Sequence, residues 1–163
     1  MGRNAHVARR ADGNSPESGK NNVDRGALEQ NVAFHLRLAQ DASFRAFKRH
    51  TGESDLRPGW YPVMSIIDTN PGITPMALSR ASGRDKSTLT PVLRDLIAHG
   101  LVDQRPVPND RRSYALALTA EGEARLASLA AHAKEHDRQL DLIVGEKKEE
   151  LIGLLRRIAS TLD

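Results

Sequence analysis

From residue 27 onward, apolar residues recur at helical spacing, whereas residues 1–26 show neither helical nor strand period. That polar start, with Gly, Asn, Ser and Pro through NSPESGKNN, predicts a flexible arm. Leu28, Val32, Leu36 and Ala39 form one stripe, widened by Phe34, Leu38 and Ala42 and extended by Phe44 and Phe47. They predict a first helix over 27–50, stopped by Gly52, with apolar residues on two faces. After a turn at Leu56-Arg57-Pro58-Gly59, Trp60, Val63, Met64 and Ile67 mark one face of a second helix, with Pro62 tolerated in its first turn. Asn70-Pro71-Gly72 closes it.

Thr74 and Pro75 open a third helix whose inward residues are expected to be Met76, Ala77 and Ala81. Gly83 ends it, and Asp85 caps a fourth helix, Lys86 to His99, closed by Gly100. Leu89, Leu93, Leu96 and Ile97 are its buried stripe, leaving Ser87, Thr90, Pro91 and Arg94 outward with Thr88 at the edge. Residues 101–107 and 113–118 alternate as two short strands, with Pro108-Asn109-Asp110 as turn chemistry and Asp110, Arg111 and Arg112 at the hairpin tip. Thr119 caps a fifth helix, with Leu126, Leu129, Ala130, Ala133, Leu140 and Val144 at helical spacing. A sixth follows Gly145 with Leu151, Leu154, Leu155, Ile158 and Leu162, a stripe with little to pack on in a monomer of this size. The fold class expected is mainly α with a small β-wing: a winged helix-turn-helix flanked by helices.

Charge adds a direction. From Arg80 to Arg112 seven basic residues face four acidic ones, whereas Thr119 to Asp163 holds seven basic and nine acidic. The basic bias thus sits on the helix-turn-helix and its wing, a footprint of nucleic-acid binding. Small polar side chains on the exposed start of the fourth helix reach base edges without holding the backbone off the major groove. Ser87, Thr88 and Thr90 are the candidate readers, Pro91 a candidate contact to a thymine methyl, and Arg84, Lys86 and Arg94 candidate phosphate anchors. Arg111 or Arg112 is the candidate minor-groove probe, with Asp110 pairing the other arginine to stiffen the turn.

Several chemistries drop out. The chain has no cysteine, which removes disulfides, thiolate catalysis and cysteine-rich zinc sites. No glycine-rich phosphate loop, nucleophile elbow or His-Glu-x-x-His occurs, so the reading is non-enzymatic, with no cofactor and no metal. His132 and His136, four apart on the fifth helix, are expected to be solvated surface histidines. No apolar run is long enough for a membrane span and no secretory signal is readable, so no membrane partner is expected and the location is cytoplasmic.

The central span resembles the MarR family of winged helix-turn-helix transcriptional regulators. Lys86-Ser87-Thr88-Leu89-Thr90, Leu96, Gly100-Leu101-Val102, Asp110-Arg111-Arg112, Leu116-Ala117-Leu118-Thr119 and Gly122 carry the likeness, which extends over roughly residues 27–162. Pro91 departs from the polar or basic residue many members carry. The resemblance implies one domain over 27–163, in which 27–57 and 120–163 intertwine with a second copy and 58–119 form the winged helix-turn-helix. It implies a homodimer on a pseudo-palindromic double-stranded DNA operator, a repressor released by a small-molecule effector. The effector would lie between the dimer region and the winged helix, against His35, Leu38, Phe44, Trp60, Tyr61 and Met64, with Arg37, Arg45 or Arg49 holding an acid group. The segments FHLRLAQ, LRPGW, NPGI and DKSTLTP are similar to members that answer to aromatic acids or aryl-coenzyme A thioesters. The alternative function is a winged-helix protein-interaction module without DNA binding.

Overall fold

In the computed structural model of the chain the described residues are 23–51, 57, 59–107 and 110–162. The predicted arm up to residue 22, the stop at Gly52, and Leu56 and Pro58 of the predicted turn lie outside them. The chain divides into two compact units, one up to Arg37 and one from Leu38 onward. In the first, the predicted single helix over 27–50 is broken. A 3-10 turn, Gly26–Gln30, precedes Asn31, and α1 runs Val32–Thr51. The cause is local: Asn31 adopts extended backbone, and its side-chain oxygen accepts the Phe34 N–H at 2.9 Å, an N-cap in place of a helical residue. The guanidinium groups of Arg25 and Arg37 lie 5.7 and 5.6 Å from the Phe34 ring centre.

In the second unit, α2 (Trp60–Thr69) buries Trp60, Val63, Met64 and Ile67 as its spacing predicts. Asn70 closes it by donating from its side chain to the Ile66 carbonyl at 2.9 Å. The Thr74 hydroxyl caps α3 (Pro75–Ser82) by accepting the Ala77 N–H, and Gly83 ends it at φ 61°. The expected inward face of α3 is wrong. Met76 is 67% exposed, Ala77 and Ala81 are exposed, and Leu78 is fully buried. The inward row is Pro75, Leu78, Ser79 and Ser82, helical spacing with polar members. Ser79 and Ser82 tolerate that position because their hydroxyls donate to the carbonyls of Arg84 and Ser79.

Asp85 caps α4 (Lys86–Ala98), which buries Leu89, Leu93 and Leu96 and half-buries Ile97. Gly100, at φ 67°, turns the chain so that the Leu101 N–H returns to the Leu96 carbonyl at 2.9 Å. Strand β1 (Val102–Val107) then pairs antiparallel with β2 (Asp110–Leu118), Val102 opposite Leu118, with a register irregularity at Pro106/Val107. Asp110, Arg111 and Arg112 therefore begin β2 rather than forming a loop tip, while Pro108 and Asn109 lie outside the described residues. The Gly72 N–H bonds the Leu116 carbonyl and the Leu116 N–H bonds the Ile73 carbonyl, at 2.8 and 2.9 Å, so the α2–α3 connection holds the base of the wing.

Helix α5 (Ala120–Val144) starts on a tight seam. The Thr119 hydroxyl donates to the Gly100 carbonyl at 2.6 Å and accepts the Gly122 N–H at 3.0 Å. A side chain at residue 122 would place its Cβ 2.0 Å from the Leu101 carbonyl oxygen, so only glycine fits there. A 3-10 turn, Gly145–Lys147, leads into α6 (Lys148–Leu162). The core of this unit joins α2, α3, α4 and both strands, with Phe47 of α1 and Leu129 of α5 packed in. No residue of helix α6 is fully buried; Ile152 and Ile158 are half-buried, Leu151, Leu154 and Leu155 are 40–41% exposed and Leu162 is 82% exposed. Among the described residues no helix is long and apolar enough to cross a membrane.

Candidate functional site

The exposed start of α4 is the first candidate surface. Ser87, Thr88, Thr90, Pro91 and Arg94 are all solvent-exposed, as is Lys86. The Asp85 carboxylate organises the first turn, accepting from the Ser87 hydroxyl at 2.6 Å and from the Thr88 N–H at 2.8 Å. The Ser87 hydroxyl first, and the Thr88 N–H second, hold the Asp85 carboxyl below the usual carboxylate range. The Thr88 and Thr90 hydroxyls donate to the carbonyls of Asp85 and Lys86 at 3.0 and 2.7 Å. Each hydroxyl keeps acceptor capacity beside the bond it donates, so the three candidate readers can accept from the amino groups of adenine and cytosine. Pro91 lacks the N–H that would bond the Ser87 carbonyl, so that carbonyl has no helical partner from it.

Arg84, expected as a phosphate anchor, is half-buried, and its guanidinium donates to the Gly59 carbonyl at 3.5 Å. Lys86 and Arg94 remain the outward cations of α4. Arg80 is a further cation at this surface, one that α3's expected inward face had hidden. With Lys86, Thr90 and Tyr114 it lines a groove of about 360 Å³ between α3, α4 and β2. Arg80 is exposed on α3 opposite the buried Leu78, a position set by the true inward face of the helix. The side chains of Asp110, Arg111 and Arg112 lie outside the described residues; their backbone continues the wing that adjoins this surface.

A second candidate surface is a groove of about 490 Å³ between α1, α2 and α5. Three aromatic rings line it, Phe44, Phe47 and Tyr61, with Gln40, Ser43 and Ala133 between them and Lys134 and Asp137 among its polar wall. Such a mixture of apolar wall and few polar groups suits a small organic ligand. Of the expected effector residues only Phe44 and Tyr61 line the groove. Met64 and Trp60 are core residues, 0% and 2% exposed, because their face of α2 packs against the other winged-helix elements. Leu38 is half-buried and Arg45 and Arg49 are exposed, none of them lining the groove. His35 and Arg37 belong to the first unit, where the His35 Nε2 lies 2.9 Å from the Glu29 carbonyl.

His136 corrects the expectation of solvated histidines. It is 9% exposed, its Nε2 lies 2.9 Å from the Ser43 hydroxyl, and its ring meets the Phe47 ring edge-on at 5.7 Å. It shares the inward row of α5 with Leu129, Ala133 and Leu140, three and four residues apart, which puts an imidazole in the groove wall. His132 is half-buried. Among the described residues no three acidic, histidine or cysteine side chains converge as metal ligands would.

Comparison with known proteins meets this geometry. The sequence profile of the MarR family matches residues 54–113, which take in α2, the helix-turn-helix and the wing as far as the start of β2. The transcriptional regulator HosA of Escherichia coli O111:H- is 34% identical over 135 residues, 79% of this chain and 96% of HosA. This chain belongs to the MarR family. Among solved structures it superposes on the transcriptional repressor CouR bound to a 23-mer DNA duplex with a TM-score of 0.74, at 28% identity, over 84% of this chain and 98% of CouR. CouR bound to p-coumaroyl-CoA superposes with a TM-score of 0.74 at 25% identity, over 84% and 97% of the two chains. The MarR-family regulators share this winged helix, and the two-stranded sheet here is its wing.

Proposed function

We propose that this MarR-family regulator is a homodimeric repressor that binds a pseudo-palindromic duplex and leaves it when a small ligand fills the α1–α2–α5 groove. The observation that carries this reading is the exposed polar first turn of α4, with Lys86 and Arg94 outward and the wing beside it. Ser87, Thr88 and Thr90 read bases, Lys86, Arg94 and Arg80 meet phosphates, and Arg111 or Arg112 enters the minor groove. The second copy covers the uncovered leucines of α6, since an apolar stripe of that length does not stay in water. Two α4 helices then face successive major-groove segments about 34 Å apart.

The ligand is an aromatic acid or its coenzyme A thioester. Phe44, Phe47 and Tyr61 supply ring contacts, and Lys134 supplies a cation for an acid or phosphate. CouR, similar over most of its length, takes p-coumaroyl-CoA. Release requires the ligand to prefer the conformer whose α4 helices are wrongly spaced. The protein acts in the cytoplasm, where its DNA lies. Gel shift of Arg111→Ala with Arg112→Ala tests the wing: operator binding should vanish with the dimer intact, and unchanged affinity sinks the assignment. Binding should also weaken steeply with salt; a flat response favours a protein partner. Thermal-shift screening of aromatic acids and their coenzyme A thioesters should find a stabiliser, and stabilisation by none overturns the ligand class.

A further inference from the structure

The segment leading into α2 holds α4 near both of its ends. At the far end, the Arg57 guanidinium pairs with the Asp95 carboxylate at 2.5 Å and lies 5.7 Å from the Trp60 ring centre. Trp60, 2% exposed, meets the His99 ring edge-on at 5.1 Å. His99, the C-cap of α4, places its Nδ1 2.7 Å from the Asp95 carbonyl. At the near end, Arg84, one residue before the Asp85 cap, donates to the Gly59 carbonyl at 3.5 Å. Arg57, Gly59 and Trp60 therefore touch α4 ahead of its first turn and at its last, over a helix about 20 Å long.

The next residue in the chain, Tyr61, is a wall of the ligand groove, and its ring stacks on Phe47 at 6.4 Å. One peptide step separates the groove from the grip on α4. We propose that Arg57, Trp60, Arg84, Asp95 and His99 form a clamp that sets the orientation of α4, and that filling the groove at Tyr61 reaches α4 through it. This rests on the function proposed above. These are positioning residues: they hold the reading helix and touch no base. The clamp has a firm part and a soft part. Trp60 is anchored in the core, whereas the Arg57–Asp95 pair is exposed on the arginine side (63%) and weak, so it can open without unfolding the domain. A packed element with two arrangements is what physical coupling between sites needs.

Trp60 is the sole tryptophan, so its emission reads the clamp without label, ligand or DNA. Asp95→Asn and Arg57→Gln should each shift that emission and lower affinity two- to five-fold (roughly the worth of one exposed pair) for a duplex recovered by in vitro selection with the full chain. The charge swap, Arg57→Asp with Asp95→Arg, should restore both readings. Ala133→Phe fills the groove without ligand. It should shift the emission and the affinity in the parent, and by a smaller factor in the Asp95→Asn background. Singles that match the parent in both readings overturn the clamp, and so does a swap no better than the singles. Equal effects of Ala133→Phe in the two backgrounds, or none in the parent, overturn transmission through it. If selection recovers no duplex, the DNA-binding reading falls. The clamp is then judged by the emission and by amide exchange across residues 94–101, which the single substitutions should speed; unchanged exchange and emission overturn it.

Discussion

The winged helix and the C-terminal helix spend their leucines differently. Between α2 and β2, Val63, Met64, Ile67, Leu78, Leu96 and Leu116 are each fully buried. In α6 the same residue type stands at 40% exposure or more at Leu151, Leu154, Leu155 and Leu162, and Leu142 and Ile143 at the end of α5 are 72% and 80% exposed. The first region satisfies its hydrophobic pattern within one chain. The second keeps an equally regular pattern that the described residues leave partly uncovered. Periodicity reports that a face will be covered, and is silent on whether the cover comes from the same molecule.

Expected outcomes rank by how hard they press on that contrast. The largest is at α6: Leu151→Glu with Leu154→Glu and Leu155→Glu should leave a monomer by light scattering and lower DNA affinity about a hundred-fold or more, because two linked half-sites become one. A dimer that survives this change would place the interface elsewhere. Next is the core. Leu116→Ala should cost about 2–5 kcal/mol in urea unfolding, independent of protein concentration. Leu154→Ala should instead show a loss that grows on dilution; a concentration-independent loss would make α6 self-sufficient after all. Third comes the seam, where Gly122→Ala must displace the Leu101 carbonyl and should cost about 1–3 kcal/mol by the same assay. The smallest concerns Asp85. Its carboxyl is depressed in the folded chain, so its contribution is complete above the ordinary carboxylate range and fades as pH falls through the lowered value. Asp85→Asn should flatten the acid limb of the stability profile, and an unchanged limb would mean that other carboxylates set it.

Most of the fold was legible because its punctuation is chemical. Thr74, Asp85 and Thr119 cap the helices they precede, and Gly83 and Gly100 turn the chain at positive φ. The order of helices and strands follows from those residues alone. What escaped were positions where a polar residue occupies the inward row. Ser79 and Ser82 hid the true face of α3, because a serine that bonds a nearby carbonyl sits inside as readily as alanine. Asn31 split the first helix for a related reason, offering its own oxygen to the Phe34 N–H.

The outward residues of α4 were readable from one helix, since exposure of Ser87, Thr88, Thr90 and Arg94 follows from the spacing of Leu89, Leu93 and Leu96. Of the groove only Phe44 and Tyr61 were, because its third wall comes from α5, far along the chain from α1 and α2. Ser43 and His136, 93 residues apart, meet at hydrogen-bonding distance, and nothing local to either announces the other. Arg84 shows the converse: its charge was plain, while the Gly59 carbonyl that occupies it is 25 residues away.

The seam at Thr119 and Gly122 also constrains how such a chain can change in length. Thr119 is bonded to Gly100 through its hydroxyl and to Leu101 through its N–H, and residue 122 rests against the Leu101 carbonyl. Insertions near either foot of the hairpin would pull these contacts apart, whereas the two strands diverge from them toward Val107 and Asp110. Residues added there in pairs would keep every side chain on its present face and lengthen the wing alone. The far end of the hairpin is thus where the wing can lengthen or shorten while the base, and the helix that grows from it, stays in register.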